Sequence, residues 1–117
     1  MMKGAYEIPG LRFTGIANNE IPLHRFCKAV AEGDNMFDLC GEGEQAIGVS
    51  RNHSNVAEPI EVADGICIVE ASAAIEAGAK VSAAAEGKAV TASAGIVNGI
   101  ALTAATAAGQ YVAVKLV

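Results

Sequence analysis

From Gly65 to Val117 the chain reads GICIVEASAAIEAGAKVSAAAEGKAVTASAGIVNGIALTAATAAGQYVAVKLV, with turn signals at Ala77-Gly78, Glu86-Gly87, Asn98-Gly99 and Gly109. Punctuation this dense leaves room only for short extended segments. Alanine propensity alone would make residues 71–85 a helix. Gly78 sits in the middle of that run, however, and the apolar Ile75 and Val81 are six residues apart. That spacing suits two extended pieces around a turn, so the prediction is β. Val81 to Ala85 and Ala89 to Thr91 then form a hairpin about Glu86-Gly87, Asn98-Gly99 marks a tight turn before a strand at Ile100 to Leu102, and residues 103–108 make a loop or one helical turn. Tyr111 to Leu116 alternates strictly, with Val112, Val114 and Leu116 inward and Tyr111 and Lys115 outward.

An earlier stretch repeats this pattern. Leu23 to Val30 alternates, Glu32-Gly33-Asp34-Asn35 turns, and Met36 to Leu39 resumes as the second arm of a hairpin. Gly41-Glu42-Gly43-Glu44 is a second turn, residues 45–50 a short strand, 51–55 a polar loop, and Pro59 opens a strand with Ile60 and Val62 inward. Ala29-Val30-Ala31-Glu32-Gly33 matches Ala83-Ala84-Ala85-Glu86-Gly87 at a separation of 54, and Ile47-Gly48-Val49 matches Asn98-Gly99-Ile100 at 51. Two such halves cannot each bury a face alone, so they pair into one body. The expected fold is mainly β: a small single-domain β-barrel or β-sandwich built from two similar half-units, with an N-terminal arm. Residues 1–20 form that arm or a first strand, and residues 21–117 the β domain, with half-units near 21–64 and 65–117.

At 117 residues the chain fits one domain. Its apolar share, 52%, is mostly Ala and Val, with no Trp, three Phe and two Tyr. Small side chains bury little area each, so association with a partner surface would add burial that a monomer lacks. The net charge of −5 arises before Gly65, where ten acids face five bases. No basic stripe is present to displace counterions from a phosphate backbone, which argues against direct nucleic-acid binding. The start, Met1 to Glu7, has no apolar run of signal-peptide type, and nowhere do the roughly 18 apolar residues of a membrane span occur together. The sequence therefore predicts a protein that stays in the cytoplasm of the cell that makes it, without membrane contact.

The inventory for chemistry is thin. Cys27, Cys40 and Cys67 are odd in number, far apart and without a C-x-x-C pair, which reads as buried small hydrophobes in a reducing compartment. His24 and His53 are the only histidines, and no motif pairs either with a nucleophile or gives metal-ligand spacing. The G-x-G of Gly41-Glu42-Gly43 carries two acids that would repel a phosphate, and no helix follows it. No enzyme, cofactor or metal site is expected. The loop at residues 50–55, with Arg51 and His53, is the most polar non-acidic surface and the first place to look for a polar contact. A carrier module using Lys88 as attachment site, and a small hydrolase using Arg51, His53 and a cysteine, are the competing classes.

The runs Ala74-Ile75-Glu76-Ala77-Gly78-Ala79-Lys80-Val81, Glu86-Gly87-Lys88-Ala89-Val90, Gly99 to Ala105 and Ala108 to Leu116, with Ala46-Ile47-Gly48-Val49 and Ala57 to Gly65 in the first half, resemble the small tailed-phage capsid cement or decoration proteins. The likeness covers about residues 26–117. It implies a compact β domain that binds the outer surface of the assembled head and stabilises it, made in the host bacterial cytoplasm and carried on the virion exterior. The implied partners are the major capsid protein and the chain itself, as a homotrimer in preference to a dimer, with no cofactor. Under this reading the N-terminal stretch contacts the shell through Leu11, Phe13 and Ile16, helped by Arg12, with Arg51 and His53 as further contacts. A non-catalytic β-fold interaction or carrier module unrelated to capsids is the alternative.

Overall fold

A computed structural model of the chain describes residues 4–117; residues 1–3 of the stretch expected as an arm or first strand lie outside the described residues. Among the described residues nine strands follow in order: β1 (Ile8–Ala17), β2 (Phe26–Ala29), β3 (Met36–Leu39), β4 (Gly48–Ser50), β5 (Pro59–Glu70), β6 (Lys80–Ala83), β7 (Ala89–Thr91), β8 (Gly99–Ala101) and β9 (Tyr111–Leu116). A 3₁₀ turn, Ala85–Gly87, sits in the β6–β7 hairpin. The strands join in the order β1-β3-β2-β4-β5-β9-β8-β6-β7, and β1 also pairs with β5. That extra pairing closes β1, β3, β2, β4 and the first half of β5 into a barrel.

The second half of β5 begins another barrel of the same design. It pairs antiparallel with β9, as β1 does with β5, and β9 continues through β8 and β6 to β7. The parallel contact of β1 with β3 has its counterpart in the bridge between Ala71 and Ala89. Backbone hydrogen bonds repeat one by one: Ala17 N to Glu58 O reappears as Ala71 N to Gln110 O, Val30 N to Met36 O as Ala84 N to Lys88 O, and Cys40 N to Phe26 O as Ala92 N to Lys80 O. The bridge Ile21–Ser54 reappears as Ile75–Ala105. Left-handed backbone recurs too, at His24 (φ 65°) and Gly78 (φ 88°), and at Ala57 (φ 68°) and Gly109 (φ 88°). The mainly β fold built from two similar half-units is what the chain adopts. The junction strand β5 changes barrel at Gly65, whose φ of 98° is strained for any side chain, and where a Cβ would come within 2.6 Å of Gly10 N.

Each barrel has an apolar interior, and the two are filled by equivalent positions. Ala17, Ile21, Cys27, Phe37, Ile60 and Val62 form the first, with Phe13, Leu39 and Ile47 packed against them. Ala71, Ile75, Val81, Ala89, Val112 and Val114 occupy the same places in the second. The aromatic pair Phe13–Phe37, edge to face at 5.7 Å, fills the first barrel; the corresponding residues of the second are Cys67 and Ala89. That missing volume is supplied from outside: Phe26, Val49, Ala63 and Cys40 belong to strands and turns of the first barrel but share the core cluster of the second. Phe26 and Cys27, adjacent in β2, are both fully buried, one toward each barrel.

Asn98-Gly99, expected as a tight turn, instead enters strand β8. The reason is close approach. A Cβ at Gly99 would lie 2.5 Å from Lys115 O and 2.5 Å from Val114 Cγ1, and one at Gly48 would lie 2.6 Å from Ala63 O and 2.5 Å from Val62 Cγ1. Each glycine lets its strand press against the partner backbone. Asn98 is buried and ties the barrels together, its Oδ1 accepting from Ala46 N at 2.9 Å and its Nδ2 donating to Glu44 O at 3.0 Å.

Candidate functional site

The groups capable of chemistry are dispersed and mostly sealed. Cys27, Cys40 and Cys67 are free and buried, and burial, the leading cause in each case, pushes all three thiols up to about 12. Nucleophilic thiolate is therefore negligible at neutral pH. At pH 8 a thiol-specific chromogenic reagent should label the folded protein far more slowly than the protein in denaturant, and fast stoichiometric labelling of the native state would contradict this. His24 has its pKa lowered from 6.5, first by burial and then by Arg51, with Glu7 opposing. Its ring stacks edge to face on Tyr111 at 5.3 Å, and Nδ1 is buried without a hydrogen-bond partner. Among the described residues no group of three or more His, Cys, Asp or Glu side chains is placed to hold a metal ion. Lys88 is engaged with Glu70 at 3.6 Å and Glu86 at 3.9 Å.

The loop after β4 is stitched to its own scaffold. Arg51 pairs with Glu7 at 3.0 Å and lies 4.0 Å from Glu61, while the other oxygen of Glu7 accepts from Ile68 N at 3.0 Å. This ties the segment before β1 to both halves of β5. Asn52 accepts from Glu61 N at 2.7 Å and donates to Ser54 Oγ at 2.9 Å, and Ser54 Oγ donates to Pro59 O. His53 is exposed and meets Glu20 at 2.7 Å. Of the loop residues singled out from sequence, Arg51 is thus taken up internally and His53 remains at the surface.

On β1 the alternation divides the remaining candidates. Leu11 is 69% exposed, and Arg12 and Ile16 are exposed on the outer surface of the first barrel, whereas Phe13 points inward onto Phe37. Leu11 sits in a register shift between Pro9 and Arg12. β1 as a whole is a barrel strand, bonded to β3 on one side and β5 on the other.

A second surface had only a faint sequence signal, the outward Lys115 of the closing strand. Cross-strand pairing lines up Ile8, Ile66, Lys115, Ile100 and Lys80 in one row across the outside of the second barrel. Ile8, Lys115 and Lys80 are exposed and Ile66 and Ile100 half-buried. Among the described residues Arg12, Lys80 and Lys115 make no ion pair, while Arg25, Lys28, Arg51 and Lys88 do. A shallow, mostly apolar depression of about 520 Å³ lies at the far end of the second barrel beside Ile75, Ala79, Thr91 and Ala105. The first barrel has the larger Arg25, Leu39 and Ser54 at the last three of those positions.

Two small barrels fused through one strand, with their thiols buried, make up a mainly β protein. The sequence model for phage cement proteins matches residues 14–116, and the chain belongs to that family. It is accordingly a capsid-associated structural protein. Its fold is similar to that of the N base of the head fiber gp8.5 of bacteriophage phi29, at 21% identity and a TM-score of 0.76, covering 92% of this chain and 93% of that one. Among curated proteins none matches the sequence.

Proposed function

We propose that the protein binds the outer surface of the assembled phage head, contacting the major capsid protein, and stabilises the head without catalytic activity. The observation that carries this reading is the family match across residues 14–116. The sealed thiols and the scattered titratable groups agree with a role in which binding, and no reaction, is the activity. In this reading the protein is made in the host bacterial cytoplasm, resides on the virion exterior, and acts as a homotrimer in preference to a dimer.

The head-facing residues we propose are Leu11, Arg12 and Ile16 on the outer face of β1, with His53 at the neighbouring loop. Phe13 and Arg51 serve the same surface indirectly, one as an interior anchor and the other as a brace to Glu7. Contacts in which an exposed apolar side chain becomes buried dominate such interfaces, while rim charges tune the rate of encounter. Co-sedimentation with mature and immature heads tests the reading directly. The wild-type protein should pellet with heads, and Leu11→Asp combined with Ile16→Asp should weaken the association by about tenfold or more while leaving the circular dichroism unchanged. Failure of the wild-type chain to bind either head form would overturn it.

A further inference from the structure

We propose that the protein associates with itself head to tail, the Lys80–Ile100–Lys115 row of one copy docking on the Asp64 end of the first barrel in the next. The proposal rests on the self-association in the functional reading above and not on head binding.

The argument starts from the junction inside the chain. The outer row of the first barrel is Arg12, Ala63, Val49 and Phe26, aligned by cross-strand pairing. Three of its members, Phe26, Val49 and Ala63, are fully buried, because they close one end of the second barrel and share a core cluster with Ala83, Cys67 and Leu116 there. The equivalent row one repeat later is Ile66, Lys115, Ile100 and Lys80, of which the two lysines are exposed and the two isoleucines half-buried. The same register position thus occurs twice per chain and is fully buried only in the first barrel.

The end that would receive the free row is also present. Ala83 and Leu116, at the end of the second barrel, have Ala29 and Asp64 as their equivalents at the end of the first. Ala29 and Asp64 are both exposed. Within the chain the contact is apolar on both sides. Between copies the same geometry would bring Lys80 and Lys115, which carry no ion pair, to an Asp64 whose carboxylate likewise has none among the described residues. Opposite charges replace the apolar pair, and the half-buried Ile100 of the row faces the exposed Ala29. Because donor row and receiving end are different surfaces, the interface is heterologous: it closes into a ring or runs on, and it does not make a two-fold dimer.

Sedimentation velocity on purified protein, without heads, tests this. The wild-type chain should sediment as a species larger than its 11.8 kDa monomer, and Lys80→Glu with Lys115→Glu should weaken association roughly tenfold or more, as should raised salt to a smaller degree. Asp64→Asn, which keeps an acceptor for Gly65 N, should weaken it less, and Asp64→Lys combined with Lys115→Glu should restore part of what Lys115→Glu alone removes. A monomer at every concentration would overturn both this inference and the self-association on which it rests. An oligomer indifferent to charge reversal, or a two-fold dimer, would overturn the inference alone, and head binding would be judged separately by co-sedimentation.

Discussion

Replacing Phe26 by alanine is expected to destabilise the protein by about 3–5 kcal/mol, the cost of a buried aromatic truncation that leaves a cavity. Domains of this size are stable by only about 5–15 kcal/mol, so the loss would be a large share of the total. The location of the damage is as informative as its size. Phe26 lies on β2 of the first barrel, yet it fills the end of the second, where Cys67 and Ala89 stand at the positions that Phe13 and Phe37 fill in the first. Hydrogen exchange should therefore accelerate at the amides of Val81, Val112 and Val114 more than at those of Ile60 and Val62. A loss under about 1 kcal/mol by denaturant titration would mean that the second barrel closes without its neighbour's aromatic ring.

Removing residues 1–17 should abolish folding and not merely a binding function. β1 supplies the strand that joins β3 to β5, and with it go Phe13 and Ala17 from the interior of the first barrel. Both neighbours would be left as open edges, which invite pairing with other chains. The expected result is a truncated chain without a cooperative thermal transition, recovered chiefly in aggregates. Retention of the full-length midpoint by differential scanning calorimetry would show that β1 is dispensable. Point substitutions at Leu11 and Ile16, whose side chains face outward, are the way to separate recognition from architecture at this strand.

The repeat was readable because its punctuation is local. Ala29 to Gly33 against Ala83 to Gly87, and Gly48 against Gly99, are turn and close-approach positions that the backbone itself demands, and their spacings return in the hydrogen bonds of the two barrels. Other features were hidden for physical reasons. Alternation assumes one buried face per strand, but Phe26 and Cys27 are both buried because β2 lies between two cores. The parallel contact of β1 with β3 joins residues too far apart for any local signal. The register shift at residues 10–11 breaks the periodicity of β1, which is why its sequence could be read as an arm. Arg51 stood in a polar loop and looked free to bind; its partner Glu7 is 44 positions away and outside any window of pattern reading. Of the residues singled out from sequence, Leu11, Arg12, Ile16 and His53 are at the surface, whereas Phe13 and Arg51 are engaged within the fold.

The continuity of β5 through Gly65 has a mechanical consequence. A tensile load that enters at the outer wall of one barrel and leaves from the other travels along the covalent backbone of a single twelve-residue strand, flanked by β1 on one half and β9 on the other. The ladders on either side are then loaded in shear, with many hydrogen bonds sharing the force at once, so the barrels cannot be peeled apart one contact at a time. A linker of irregular chain at the same place would extend before either barrel carried the load.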